Sequence, residues 1–264
     1  MIDIHNHMLP AVDDGAKNDD MALSMLKEAV RQGVEHLVLT PHLYEADIIK
    51  GTGEWKAKIE KGTQTVMELI KAHELPIEIT IAAEVRYQDM LPIILDELDV
   101  LIGGKYLLLE FSFHSVPNNL ERIIYEITRK GVIPIIAHPE RIKPWQRDPK
   151  RLEELINMGC PTQLDIGSFM GSLGPSSEKL ANFLFDKDAV HLVGSDSHNL
   201  QARALYSKPG YDWLSERYGV EYADLLLKDN PGKILRGEHI EVYPVHLEPH
   251  PLSWKEKIMN MFKS

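Results

Sequence analysis

The chain has almost no cysteine. Cys160 is the only one among 264 residues, which rules out an intrachain disulfide and excludes the thiolate-rich structural zinc class. The position six residues after it is Ile166, so the Cys-x5-Arg loop of cysteine-dependent phosphatases is missing as well, and Cys160 reads as a small buried residue. No apolar run approaches the roughly 18 residues of a membrane span, and the opening residues lack the charged-then-apolar layout of a secretion signal. A cytoplasmic protein is expected. Basic residues are outnumbered 29 to 40, and the formal net charge of −11 disfavours broad contact with a nucleic-acid backbone. No internal repeat, low-complexity tract or Pro/Ser-rich linker interrupts the chain before residue 240.

What the chain does have is an alternation of strand-like and helix-like segments. Seven apolar runs read as strands: Ile2 to His5, His36 to Thr40, Glu78 to Ala83, Tyr106 to Phe111, Val132 to Ala137, Pro161 to Ile166 and Val190 to Gly194. Between them, Asp20 to Gln32, Trp55 to His73, Leu120 to Lys130, Leu152 to Met158 and Lys179 to Phe185 read as helices. Repeated βα units with nearly continuous apolar strands predict an α/β fold with a parallel sheet covered by helices. The expected layout is one domain over 1–243, followed by a tail over 244–264. In that tail Trp254, Ile258, Met261 and Phe262 share one face of a possible short amphipathic helix.

Polar residues gather where those strands end. His5 and His7, two apart on a strand, project to the same face. Asp14, His42, Glu84, Glu110, His138, Asp196 and His198 follow in similar contexts, which is where a barrel enzyme collects its chemistry around one mouth. Imidazole and carboxylate without thiolate suit zinc, manganese or iron. A single catalytic zinc takes about three protein ligands, so nine candidates imply two or three ions. Each residue alone has a plainer explanation. His36, His73, His114 and His191 lack such contexts and read as ordinary polar residues, and Asp13 serves to fix the turn at Gly15. Together the nine reinforce one another, because converging buried carboxylates repel unless cations neutralise them.

Arg141, in His138-Pro-Glu-Arg141, and Arg203, five residues after His198, lie beside these candidates. A guanidinium forks onto two phosphate oxygens, which points to a phosphorylated substrate; salt bridges to local acids are the rival explanation, and Arg86 and Arg147 are lesser candidates. The segment Leu43 to Gly53 reads either as a loop that shapes the mouth and admits a flat ring or, equally, as an ordinary βα connection. Phe111, Phe113 and Val116 offer an aromatic and apolar wall, with core packing as their plainer role.

His-x-His near the start, Asp13-Asp14-Gly15, Thr40-Pro41-His42, Ala137-His138-Pro139-Glu140-Arg141 and Ser195-Asp196-Ser197-His198-Asn199, in this order, resemble the polymerase-and-histidinol-phosphatase (PHP) superfamily. More narrowly, they resemble the manganese-dependent protein-tyrosine phosphatases encoded with capsule and exopolysaccharide genes of Gram-positive bacteria. That resemblance implies a distorted seven-stranded (β/α) barrel with a three-metal cluster at its mouth. It also implies ligands at the nine positions above, and phosphate-binding roles for Arg141 and Arg203. Manganese stands first among the metals, with iron, zinc or cobalt as alternatives. The partner implied is a phosphotyrosyl protein, a membrane-associated bacterial tyrosine kinase with a tyrosine-rich tail. Asp165 departs from the pattern, since relatives usually carry Asn there, and the departure bears on substrate preference.

The expected chemistry is hydrolysis of phosphotyrosine by water that cations have activated, without a phosphoenzyme. A phenolate with a parent pKa of about 10 leaves easily, and His198 is a candidate to donate its proton. The alternatives are a small-molecule phosphatase such as histidinol-phosphate phosphatase and, further off, a metal-dependent amidohydrolase. The latter often uses a strand-end lysine where this chain has Glu84 and Glu110. The superfamily's nuclease branch is disfavoured by the acidic balance.

Overall fold

Nine strands, all paired in parallel, form the sheet framework of the computed structural model, which describes residues 1–248. They are β1 (Ile2–Asn6), β2 (His36–Leu39), β3 (His42–Leu43), β4 (Glu78–Ile81), β5 (Glu84–Arg86), β6 (Tyr106–Glu110), β7 (Ile133–Ala137), β8 (Thr162–Asp165) and β9 (Leu192–Gly194). One sheet has the order β1-β2-β4 and the other β3-β5-β6-β7-β8-β9. The excess over the seven expected strands arises because two runs break in the middle. Thr40-Pro41 separates β2 from β3, since proline cannot donate to a ladder, and Ala82-Ala83 separates β4 from β5. The bonds Ala82 N→Leu39 O (3.0 Å) and Glu84 N→Pro41 O (3.2 Å) carry the pairing across both breaks. At the far ends of the order, Asp196 N→His5 O (2.8 Å) and His7 N→Ser197 O (2.9 Å) join β1 to the segment that follows β9.

Both faces of the sheet are covered. Val38, Ala82, Tyr106, Leu108, Ile135, Ala137 and Leu192 belong to one buried cluster, while their neighbours Leu37, Leu39, Leu107, Leu109, Ile136 and Val193 belong to the other. Alternate residues of a strand point to opposite faces, so a strand buried on both sides must be apolar throughout. Helices Asp19–Arg31, Gly53–Ala72, Leu120–Thr128, Lys150–Asn157 and Pro175–Asp186 occupy the expected places. Further helices, including Ser207–Tyr218, follow β9.

Two differences matter for the site. The segment after His42 is not a plain loop but contains a short helix, Glu45–Ile49. In β1, Asp3 pairs with Leu37 and Asn6 with Leu39, so Ile4 and His5 together oppose Val38. This bulge turns His5, and with it His7, to the Val38 side of the strand. Past residue 243 the chain is still held: Val245 N donates to Asn157 Oδ1 (2.9 Å), and Leu247 is buried. The expected amphipathic helix of the tail lies outside the described residues. Among the described residues no helix is long and apolar enough to cross a membrane.

Candidate metal centre and phosphate site

Eight of the nine candidate ligands fall into three overlapping groups whose donor atoms crowd together: His5, His7, Glu84 and Asp196; His7, Asp14, His42 and His198; and His42, Glu84 and Glu110. His138 stands outside these groups but is tied to them, its Nε2 lying 2.8 Å from Glu84 Oε1. In the first group His5 Nε2, His7 Nε2, Glu84 Oε2 and Asp196 Oδ1 stand 3.3–3.4 Å apart in five of their six pairings. A tetrahedron with such edges has its centre about 2.05 Å from each corner, which is the length of a zinc-type bond to nitrogen or oxygen.

The hydrogen-bond inventory supports the same fit. Glu84 Oε2, Asp196 Oδ1, His42 Nδ1 and His198 Nε2 are buried without a properly directed hydrogen bond. Buried polar atoms are rarely left so, and a cluster of them with facing lone pairs is what a cation site looks like. Glu84 and Asp196 are nonetheless held well below the usual carboxylate range. Burial opposes this, but it is outweighed by the surrounding imidazoles and, at Asp196, by Arg203 and Arg141.

The far sides of the imidazoles are also arranged. Nδ1 of His5 faces Gln163 Oε1 at 2.8 Å, Nδ1 of His7 faces Asp13 Oδ2 at 2.7 Å, and Nδ1 of His198 faces the carbonyl of Asp196 at 2.8 Å. An acceptor at Nδ1 keeps the proton there and turns the Nε2 lone pair toward the centre. Asp13 therefore does more than fix a turn, although it also accepts from Gly15 N (2.9 Å) and His42 N (3.0 Å). Sequence reasoning missed Gln163 altogether. Its signal was a long polar side chain inside a strand run, and the structure buries it completely. Trp55, on the helix Gly53–Ala72, donates Nε1–H to the carbonyl of His42 (2.7 Å) and fixes that histidine's backbone.

Backbone geometry marks the same place. His138 (φ 33°) and Asp196 (φ 45°) are in the left-handed region, which is costly for residues other than glycine and recurs at functional sites. Gly15 packs so tightly that a Cβ there would lie 2.0 Å from the carbonyl oxygen of His7. Only glycine lets the Asp13-Asp14 turn close over that histidine.

The two arginines converge. Arg141 Nη1 and Arg203 Nη2 both donate to Asp196 Oδ2, the latter at 2.6 Å, while Oδ1 of the same carboxylate belongs to the His5 group. Arg141 also faces Asp165 Oδ2 at 3.5 Å. Burial and neighbouring Asp196 push the Asp165 carboxyl up to about 7, and burial with Asp165 beside it pushes Glu140 up to about 8. Arg86 pairs with Glu110 (2.7 Å). Cys160 is buried, and burial pushes its thiol up to about 12, so it carries no nucleophile at neutral pH. His36, His114 and His191 lie outside the three groups, and His73 caps a helix. Phe111 is fully buried against Trp145 and belongs to the core. A surface groove of about 720 Å³, lined by Trp55, Ile59, Thr63, Met67, Ile81 and Asp99 among others, contains none of the nine candidates.

Residues 1–236 match the sequence profile described as capsular polysaccharide synthesis, CpsB/CapC. The chain belongs to the CpsB/CapC family. Its relatives within and around that family are consistent. It is 35% identical over 248 residues to the tyrosine-protein phosphatase CpsB of Streptococcus pneumoniae, covering 91% of this chain and all of that protein. It is 33% identical over 267 residues to the tyrosine-protein phosphatase YwqE of Bacillus subtilis, covering 99% and 100%. Among solved structures, that of YwqE and CpsB, described as metal-dependent tyrosine phosphatases, superposes with a TM-score of 0.83 at 29% identity, over 96% of this chain and all of that one. A phosphotriesterase homology protein of Escherichia coli, solved with phosphate in its active site, has a TM-score of 0.54 at 13% identity, over 88% of this chain and 97% of that one; it is similar in fold alone. The CpsB/CapC chain thus places its clustered imidazoles and carboxylates in an α/β framework shared with metal-dependent hydrolases.

Proposed function

We propose that this chain is a metal-dependent protein-tyrosine phosphatase acting in capsule or exopolysaccharide synthesis, within a distorted seven-stranded barrel. The barrel reading rests on the two interrupted strands, each counted once, and on the bonds from β1 to the segment after β9. The phosphoesterase unit is taken as 1–243 and the remainder as a tail. One observation carries the functional reading: Asp196 presents one oxygen to the His5, His7 and Glu84 group and the other to Arg141 and Arg203. Cation binding and phosphate binding are thereby coupled through a single carboxylate.

His5, His7, Asp14, His42, Glu84, Glu110, His138, Asp196 and His198 would hold two or three divalent ions, manganese first, with iron, zinc or cobalt accepted by the same donors. When bound, such ions neutralise the carboxylates and lower the pKa of water toward about 7. The chain's own part is positioning. Arg141 and Arg203 grip the equatorial phosphate oxygens, where charge shifts during transfer. Glu84, through both its oxygens, ties the histidine groups together. We assign His198 to ligation over proton donation, because Nδ1 is committed to the Asp196 carbonyl and burial lowers its proton affinity. A phenolate needs little help to leave.

The substrate is a phosphotyrosyl protein, in this reading a tyrosine kinase of the capsule locus met in the cytoplasm. The test is hydrolysis of matched phosphotyrosyl and phosphoseryl peptides and of histidinol phosphate, before and after chelation and with manganese restored. Preference for the phosphotyrosyl peptide that disappears with the metal and returns with it is the expected result. Full turnover after chelation, or preference for histidinol phosphate, overturns it.

A further inference from the structure

Two aromatic rings lie at the rim of the charged cluster and are not among its candidate donors. Tyr44 follows β3 and lies ring to ring on His42, with centroids 4.8 Å apart and planes 30° apart. It remains 41% exposed, and its phenol lies within electrostatic reach of Asp14, Glu110, Asp13 and Glu84. Phe113 follows β6, and its ring centre is 5.5 Å from that of His138 and 4.6 Å from the guanidinium carbon of Arg141. Phe113 is half-buried, unlike Phe111 two residues earlier, whose ring is spent on the core.

We infer that Tyr44 and Phe113 are the specificity walls of the site, receiving the aromatic ring of an aryl phosphate whose phosphoryl group sits between Arg141 and Arg203. This rests on the phosphatase reading above and names the residues that choose its substrate. The geometry supports it from both sides. Phe113 covers one face of the guanidinium that grips phosphate, so a ring leaving the phosphate passes beside it. Tyr44, stacked on His42 and 41% exposed, offers ring surface beside the acidic cluster against which an alkyl phosphate has nothing to lay. Stacked and edge-to-face rings attract beyond simple burial, which gives such walls selectivity for aryl esters.

The experiment uses the manganese-loaded full chain and two non-hydrolysable ligands, phenylphosphonate and methylphosphonate, with binding measured by titration calorimetry. Tyr44→Leu, at an exposed position that does not open the core, is expected to weaken phenylphosphonate roughly five- to tenfold and leave methylphosphonate within about twofold. Phe113→Leu should do the same, and Tyr44→Phe and Phe113→Tyr should restore the wild-type ratio. If Phe113 only props Arg141, both ligands weaken equally in Phe113→Leu, and the inference fails. It also fails if neither ligand responds to either leucine substitution. Failure of the wild type to hydrolyse p-nitrophenyl phosphate in manganese is a different result, which removes the phosphatase reading and this one together.

Discussion

At the scale of single residues, the site is set as much by the partners of its candidate ligands as by those residues themselves. Asp13 holds Nδ1 of His7, and a carboxylate in that position raises the basicity of the other ring nitrogen. Asp13→Asn keeps the shape and removes the charge; metal affinity is expected to fall by about 10- to 100-fold, read by competition with a chromogenic chelator. Unchanged affinity would reduce Asp13 to a turn residue. Cys160→Ser should retain phosphatase activity within about twofold, since a thiol pushed up to about 12 supplies almost no thiolate at pH 7. A loss of orders of magnitude would contradict metal-based hydrolysis. His191 gives a pH prediction away from the centre. Burial lowers its pKa from an ordinary 6.5 to about 4, while its Nδ1 accepts from Thr162 N (3.1 Å). The unfolded chain therefore takes up this proton first. The associated stability is whole above pH 6.5 and declines as pH falls toward 4, by about 2 kcal/mol at pH 5. Urea unfolding at pH 7.5 and pH 5 should show a smaller decline in His191→Asn than in wild type. Equal declines would refute the assignment.

At the scale of elements, small backbone irregularities aim the side chains. The β1 bulge sets His5 on the Val38 side, the breaks after β2 and β4 restart each ladder at His42 and Glu84, and left-handed residues end β7 and precede His198. The Asp13-Asp14-Gly15 turn is the tightest of these devices. Gly15→Ala would force its Cβ against the His7 backbone, so the turn must lift and carry Asp14 away from His42 and His198. Expected are reduced metal retention on gel filtration and a lower thermal midpoint. Wild-type retention would show that the turn is slack.

At the scale of the whole molecule, the buried carboxylates make stability depend on bound cations. Metal at about 100 times its dissociation constant adds about 2.7 kcal/mol, or roughly 5–10 °C in the midpoint of a chain this size. Chelation should lower the midpoint by that amount and manganese should restore it; a midpoint indifferent to both would mean that the cluster binds no ion in the folded state.

What the sequence determined by itself was the list of ingredients: parallel βα organisation from apolar runs of strand length, and nine candidate donors from polar residues where those runs stop. Periodicity and residue chemistry are local, so they can be read along the chain. The tertiary structure decided which donors share a centre, that Asp13 and Gln163 stand behind His7 and His5, and that Phe111 is core while Phe113 reaches the rim. It also decided that two strands break and one bulges. Those facts depend on contacts between segments as distant as His5 and Gln163, and on backbone angles that no residue preference records, because packing around the sheet selects them against local cost.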